Sequence, residues 1–164
     1  MGIYTITEKD KTDFENFFTA EICENIGKDG YFTLASSDDE GFVTGVLQFY
    51  VYETEDGIIT SSISYLFVDE EFRNAGAGTL LLRELKDILA ESEINEVTCE
   101  VFSEGSEELI SLLENEGFVF DSEVMYVAEP PAGFEVKKTK KNTDKYLLYR
   151  LEVEKTAEED SEYL

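Results

Sequence analysis

Apolar positions along this chain follow two rhythms. In the first they recur every three or four residues. Phe14, Phe17, Phe18, Ile22 and Ile26 share a helical face, and Thr12 with Glu15 fits a capping box, so the pattern predicts a helix over 13–25. Gly27-Lys28-Asp29-Gly30 ends it. Leu81, Leu85 and Ile88 fall at i, i+4 and i+7, with Leu82 and Leu89 beside them, and predict a second helix over 79–91. A third is capped by Ser106, carries Leu109, Ile110, Leu112 and Leu113, and stops at Gly117.

The second rhythm is that of strands: short alternating runs, or dense β-branched and aromatic residues. It predicts strands over 4–7, 31–35, 42–53, 58–68, 96–102, 118–128 and 146–153. Residues 36–41 form a polar turn, and Glu55-Asp56-Gly57 is a hairpin signal between the third and fourth strands. Pro130-Pro131 and a lysine-rich stretch separate the last two. The order is β-α-β-β-β-α-β-α-β-β with no internal repeat, which predicts one mixed α/β domain over 1–153. The acidic tail, 154–164, is expected to fray.

Composition narrows the function classes. The chain has 164 residues, 42% hydrophobic and 13% aromatic, enough to build a core and to exclude a disordered chain. No apolar run reaches the roughly 18–20 residues of a membrane span. The N-terminus lacks a signal-peptide pattern, and Ile6 stands where a myristoylation motif wants Ser or Thr, so a cytoplasmic address is expected. The two cysteines, Cys23 and Cys99, are expected to be reduced core thiols. Histidine is absent. That excludes Ser-His-Asp and Cys-His nucleophile pairs and the HExxH metal motif; any base must be a carboxylate, a lysine or a water. With 38 acidic against 13 basic residues the net charge is −25. Such a surface repels nucleic acid and anionic lipid and attracts cations, protonated amines among them; it also serves plain solubility.

Against that charge, Arg73-Asn74-Ala75-Gly76-Ala77-Gly78 is out of character. It follows the apolar run Tyr65-Leu66-Phe67-Val68 and opens the most periodic helix. Strand, glycine turn and helix N-terminus together make an anion site. The first N–H groups of a helix lack internal partners, the helix dipole puts partial positive charge there, and glycines admit a phosphate to the backbone.

Val68-Asp69-Glu70-Glu71-Phe72-Arg73-Asn74-Ala75-Gly76-Ala77-Gly78-Thr79-Leu80-Leu81 resembles the acetyl-CoA signature of the GNAT superfamily of N-acetyltransferases. Leu112-Leu113-Glu114-Asn115-Glu116-Gly117-Phe118 is similar to the family's helix that closes with Gly-Phe before a strand. The element order agrees over 4–153. The resemblance implies an α/β (α+β) GNAT fold, a mostly antiparallel mixed sheet of about seven strands with flanking helices. It implies acetyl-CoA as cosubstrate, no metal, and direct acetyl transfer to a primary amine of a small molecule or peptide. Family members are often dimers.

The resemblance also implies a site. Backbone N–H groups of Asn74, Ala75, Gly76, Ala77, Gly78 and Thr79 would hold the CoA pyrophosphate, with Arg73 opening the motif. Leu66, Phe67 and Val68 would pair with the pantetheine arm as an added strand. The sheet would splay between this strand and the next, leaving a slot for the thioester. Glu100, in Cys99-Glu100-Val101, resembles the base found in some members. The tyrosine that many members use as general acid is replaced here by Leu113, and the asparagine common at that helix's start by Ser106. Tyr126, on the following strand, is the candidate substitute acid. Lys137, Lys138, Lys140, Lys141 and Lys145 are read either as a basic flap over CoA phosphates or as a solvated loop. The loss of tyrosine motivates an alternative reading: a CoA-binding sensor or interaction module of the same fold.

Overall fold

The computed structural model of the chain describes residues 2–73, 75–125 and 145–153. Seven strands form one sheet: β1 (Gly2–Thr5), β2 (Tyr31–Ser37), β3 (Val43–Glu53), β4 (Ile59–Val68), β5 (Glu96–Phe102), β6 (Val119–Met125) and β7 (Lys145–Glu152). Their order is β1-β2-β3-β4-β5-β7-β6. Every neighbouring pair is antiparallel except β4 and β5. A parallel pair needs a crossover, and α3 (Ala77–Glu91) supplies it. α4 (Glu107–Asn115) then joins β5 to β6, and β7 inserts between those two strands.

Alternation along the strands loads both faces of the sheet. Leu34, Leu47 and Phe49 point to one side, with Val97, Cys99 and Val101 of β5; they pack with Leu81, Leu82, Leu85 and Leu89 of α3 and Leu113 of α4. The intervening residues Ala35 and Val46 point the other way and pack with Ile6, Phe14, Phe18 and Ile26. Glu116, at the end of α4, accepts from Lys86 Nζ at 3.1 Å and Arg83 Nε at 3.3 Å, which locks α4 onto α3.

The first helical region departs from expectation. Instead of one helix over 13–25 there are two short ones, α1 (Lys11–Phe14) and α2 (Ala20–Glu24), flanked by single 3-10 turns. Phe18 is extended (φ −126°, ψ 156°), and Thr19 starts α2 by accepting from Ile22 N at 3.3 Å. The cap also moves. Asp10 accepts from the Thr7 N–H and hydroxyl at 3.0 and 3.1 Å, in place of the Thr12–Glu15 box. The break follows from packing: Phe14, Phe18 and Ile26 are all buried against a twisted sheet, and packing overrides weak helical propensity. Among the described residues, no helix is long and apolar enough to cross a membrane.

Candidate active site

The sheet forks beside α3. β4 and β5 pair at Ser61–Val97, Ser62–Thr98 and Ile63–Cys99, and among the described residues no pairing continues beyond. A bulge turns β4 away. Gln48 faces Tyr65 and Phe49 faces Ile63, so Ser64 is the extra residue. The Ser64 hydroxyl lies 3.2 Å from the Gln48 carbonyl and 3.0 Å from Gln48 Oε1. The fully buried Gln48 donates in turn to the Ile22 carbonyl of α2 at 3.0 Å and to Thr33 Oγ1 at 3.3 Å. One side-chain amide thus ties the bulge to α2. Past the bulge, the side of Ser64, Tyr65, Leu66 and Phe67 facing β5 is open to an extended ligand that adds as a strand.

The N-terminus of α3 lies directly after β4. Gly76 is the residue before the helix and has φ 88°, a left-handed conformation that disfavours any side chain. A Cβ added to Gly76 would meet nothing within 4 Å, so space lies open over this turn. No acidic residue sits in the first turn, which leaves the positive pole of the helix uncancelled locally. Gly78 has a different reason for being glycine: a Cβ there would stand 2.6 Å from Leu112 Cδ2, so α4 packs against its bare backbone. The glycine therefore serves helix packing. Ala75 and Gly76 are exposed, Ala77 and Gly78 buried, and Thr79 half-buried. Arg73 Nε donates to the Val68 carbonyl at 3.1 Å, and its Nη1 lies 3.6 Å from Glu108 of α4. It closes the end of β4 by bonding the Val68 carbonyl. Asn74 lies outside the described residues.

Glu100 is the first residue of β5 past the fork. It faces Leu148 of β7 and is exposed on the side of the sheet that carries α1 and α2. The register places Thr98 and Arg150 on that face next to it, with Ser62 and then Tyr50 farther along the same row. Thr98 Oγ1 and Ser62 Oγ are 3.2 Å apart and bridge the last paired positions of the fork. Arg150 bonds Glu96 through Nη1, and its Nε lies 3.4 Å from Asp121 Oδ1. Burial raises the Tyr52 phenol above its ordinary value; Tyr50, Glu96 and Glu100 add to the rise and Arg150 opposes it. Sequence reasoning missed these neighbours. Alternation puts Tyr50 and Tyr52 on one face, but only the register brings that face to Glu100.

Two negative features complete the site. Leu113 is fully buried in the core, so α4 offers an alkyl group at the position where the resemblance leads one to look for a phenol. Cys99 is buried among apolar side chains, and burial pushes its thiol up to about 12, with Glu100 adding to the rise. It is a core thiol, not a nucleophile. Among the described residues, no group of three or more His, Cys, Asp or Glu side chains could hold a metal ion. Tyr126, Lys137, Lys138, Lys140 and Lys141 lie outside the described residues; Lys145 opens β7.

The profile of the GNAT acetyltransferase family matches residues 2–118. That span takes in the fork, the Gly76 turn, α3 and α4. The chain belongs to the GNAT acetyltransferase family. It is therefore an acetyl-CoA-dependent acyltransferase, and the seven-stranded forked sheet is the GNAT fold. No match was found among curated proteins. Solved structures agree on the fold. NAA60 of Arabidopsis thaliana with a bisubstrate analogue superposes with a TM-score of 0.71 at 15% identity, over 94% of this chain and 99% of that one. The ribosomal-protein-S18-alanine N-acetyltransferase of Escherichia coli gives 0.66 at 17%, over 96% of each chain. A spermidine N-acetyltransferase from Vibrio cholerae gives 0.66 at 12%, over 93% and 95%. The names of these proteins show that GNAT neighbours acetylate different amines.

Proposed function

We propose that this GNAT enzyme transfers acetyl from acetyl-CoA to a primary amine held beside Glu100, with a cationic acceptor favoured by the acidic surface. The fork carries the reading. β4 and β5 separate immediately after Ile63 and Cys99, with the Gly76 turn at one side and Glu100 at the first position beyond. In this reading the N–H groups of Gly76, Ala77, Gly78 and Thr79 hold the CoA pyrophosphate, together with Asn74 and Ala75. Leu66, Phe67 and Val68 pair by backbone with the pantetheine arm. The open space over Gly76 and the acid-free first turn of α3 fit a pyrophosphate there.

The bound thioester supplies an activated acyl group. The amine must be neutral to attack, and a lysine-like amine has a pKa of about 10.4, so it must first give up a proton. Glu100, directly or through a water, takes that proton. The amine nitrogen forms a bond to the acyl carbon, the C–S bond breaks, and CoA leaves as thiolate. Thiol pKa values lie near about 8.5, so the thiolate can depart without a general acid. This is how the chain tolerates Leu113; Tyr126 remains the candidate acid if one acts. Two free thiols agree with a reducing, cytoplasmic setting. Residues 1–153 are taken as the catalytic domain.

A panel of primary amines with acetyl-CoA, read by thiol release, tests this function. Release dependent on both substrates is expected, and Glu100→Gln should lower kcat/KM about 100-fold. Calorimetry with acetyl-CoA gives an independent reading: Ala75→Asp, at an exposed position, should weaken binding at least about tenfold by placing negative charge in the cradle. The buried Leu113 favours one second reading, a CoA-binding module that does not transfer. Acetyl-CoA binding with no release across the panel would establish it.

A further inference from the structure

Three tyrosines line the face that carries Glu100, and the reaction as described leaves them unused. Tyr31 and Tyr50 are register partners on β2 and β3, with ring centroids 5.5 Å apart; Tyr50 and Tyr52 follow at 5.3 Å. Among the described residues, none of the three belongs to either core cluster or packs against one, and Tyr52 is 41% exposed. Tyr31 and Tyr50 are half-buried, so the three rings present a contiguous, partly exposed aromatic surface outside the core clusters. The register continues the row from Tyr31 through Tyr50 and Ser62 to Thr98 and Arg150. Neighbouring strands are about 4.8 Å apart, so the Tyr50 position stands roughly 10 Å from β5, where the reactive amine would sit.

The charge on this face selects the kind of occupant. Among the described residues its one guanidinium, Arg150, is already engaged by Glu96 and Asp121, and Glu100 adds a third carboxylate. Tyrosine rings attract cations over their faces, and the carboxylates add long-range attraction.

Resting on the acetyl-transfer reading for the position of the reactive amine, we propose that Tyr31, Tyr50 and Tyr52 form a cation-recognising strip that selects acceptors with a second positive charge. The acceptor is then a small, linear dicationic amine. One amino group reacts beside Glu100, and the other, still protonated, lies over the tyrosine faces. Tyr50 and Tyr52 are specificity-determining residues; they take no part in proton transfer.

Matched probes test this. Diaminopentane and diaminooctane are compared with pentylamine and octylamine as acceptors, and the same compounds are titrated calorimetrically into the protein without acetyl-CoA. The expected result is a kcat/KM about tenfold higher for a diamine than for its monoamine, carried by KM. In Tyr52→Leu and Tyr50→Leu that ratio should fall about tenfold, whereas Tyr52→Phe, which keeps the ring, should retain most of it. Equal kcat/KM for monoamines and diamines overturns the strip while leaving acetyl transfer standing. So does acetylation of a lysine-bearing peptide in preference to every diamine. If no amine is acetylated, the transfer reading fails by itself. Calorimetry then decides the strip: diamine binding that Tyr52→Leu abolishes supports it, and the absence of diamine binding ends it.

Discussion

Gly76 and Gly78 sit two residues apart, yet they answer to different forces. Gly76 needs its left-handed backbone, and nothing crowds it, so Gly76→Ala should cost about 1 kcal/mol, all of it conformational. Gly78 sits in ordinary helix, and its constraint is Leu112. Gly78→Val is expected to cost about 1–3 kcal/mol by overpacking. Leu112→Ala in the same chain should recover part of that, a coupling that denaturant unfolding of the single and double variants measures directly. Cys99 gives a pH dependence. Burial pushes its thiol up to about 12, and burial also raises the Tyr149 phenol. Groups whose protonated form is favoured by folding stabilise fully below their unfolded pKa and lose that contribution as pH rises toward the folded value. Stability should therefore fall from about pH 9 to pH 12, and Cys99→Val should shrink the slope. In native protein at neutral pH a thiol reagent should modify Cys23, which is half-buried, and spare Cys99 until unfolding.

Among the elements, β4 is the one on which the site depends. Its bulge at Ser64 separates it from β5, and Gln48 holds the bulge to α2 and β2. Gln48→Leu preserves volume, strips the Ile22 carbonyl of its side-chain donor, and leaves the Ser64 hydroxyl only the Gln48 backbone carbonyl as acceptor. A loss of about 1–3 kcal/mol is expected, seen as a lower denaturation midpoint at unchanged m. The contrast with the first helix is instructive. Residues 13–25 carry a good helical rhythm, yet the chain breaks at Phe18, because periodicity reports which side chains are apolar and not whether a straight rod can deliver them to a curved sheet. α3 shows the opposite outcome. Its leucines predict the buried face, and Leu81, Leu82, Leu85 and Leu89 are fully buried. Its partner is the flattest part of the problem: one helix laid along one sheet face, for which a 3.6-residue repeat suffices.

For the whole molecule, a net charge of −25 sets a field that opposes compaction and draws cations. Added salt screens both effects. The melting temperature should rise with sodium chloride between low and physiological ionic strength, while KM for a cationic acceptor should rise with it. A salt-independent KM would count against a cationic acceptor.

The sequence by itself determined the strand list, the apolar faces of the two long helices and the absence of histidine chemistry, and it marked the Gly76 turn as a candidate anion site. These are local properties, fixed by spacing, by backbone conformation at a glycine and by residue type. It also pointed to Glu100, through resemblance. The tertiary structure alone decided where β4 and β5 part, that Gly78 is bare for the sake of Leu112, and that Tyr31, Tyr50, Tyr52, Thr98 and Arg150 share the face beside Glu100. Each of those is a matter of register between strands far apart in the chain. A shift of one residue would carry every side chain to the opposite face, and no local pattern specifies that choice.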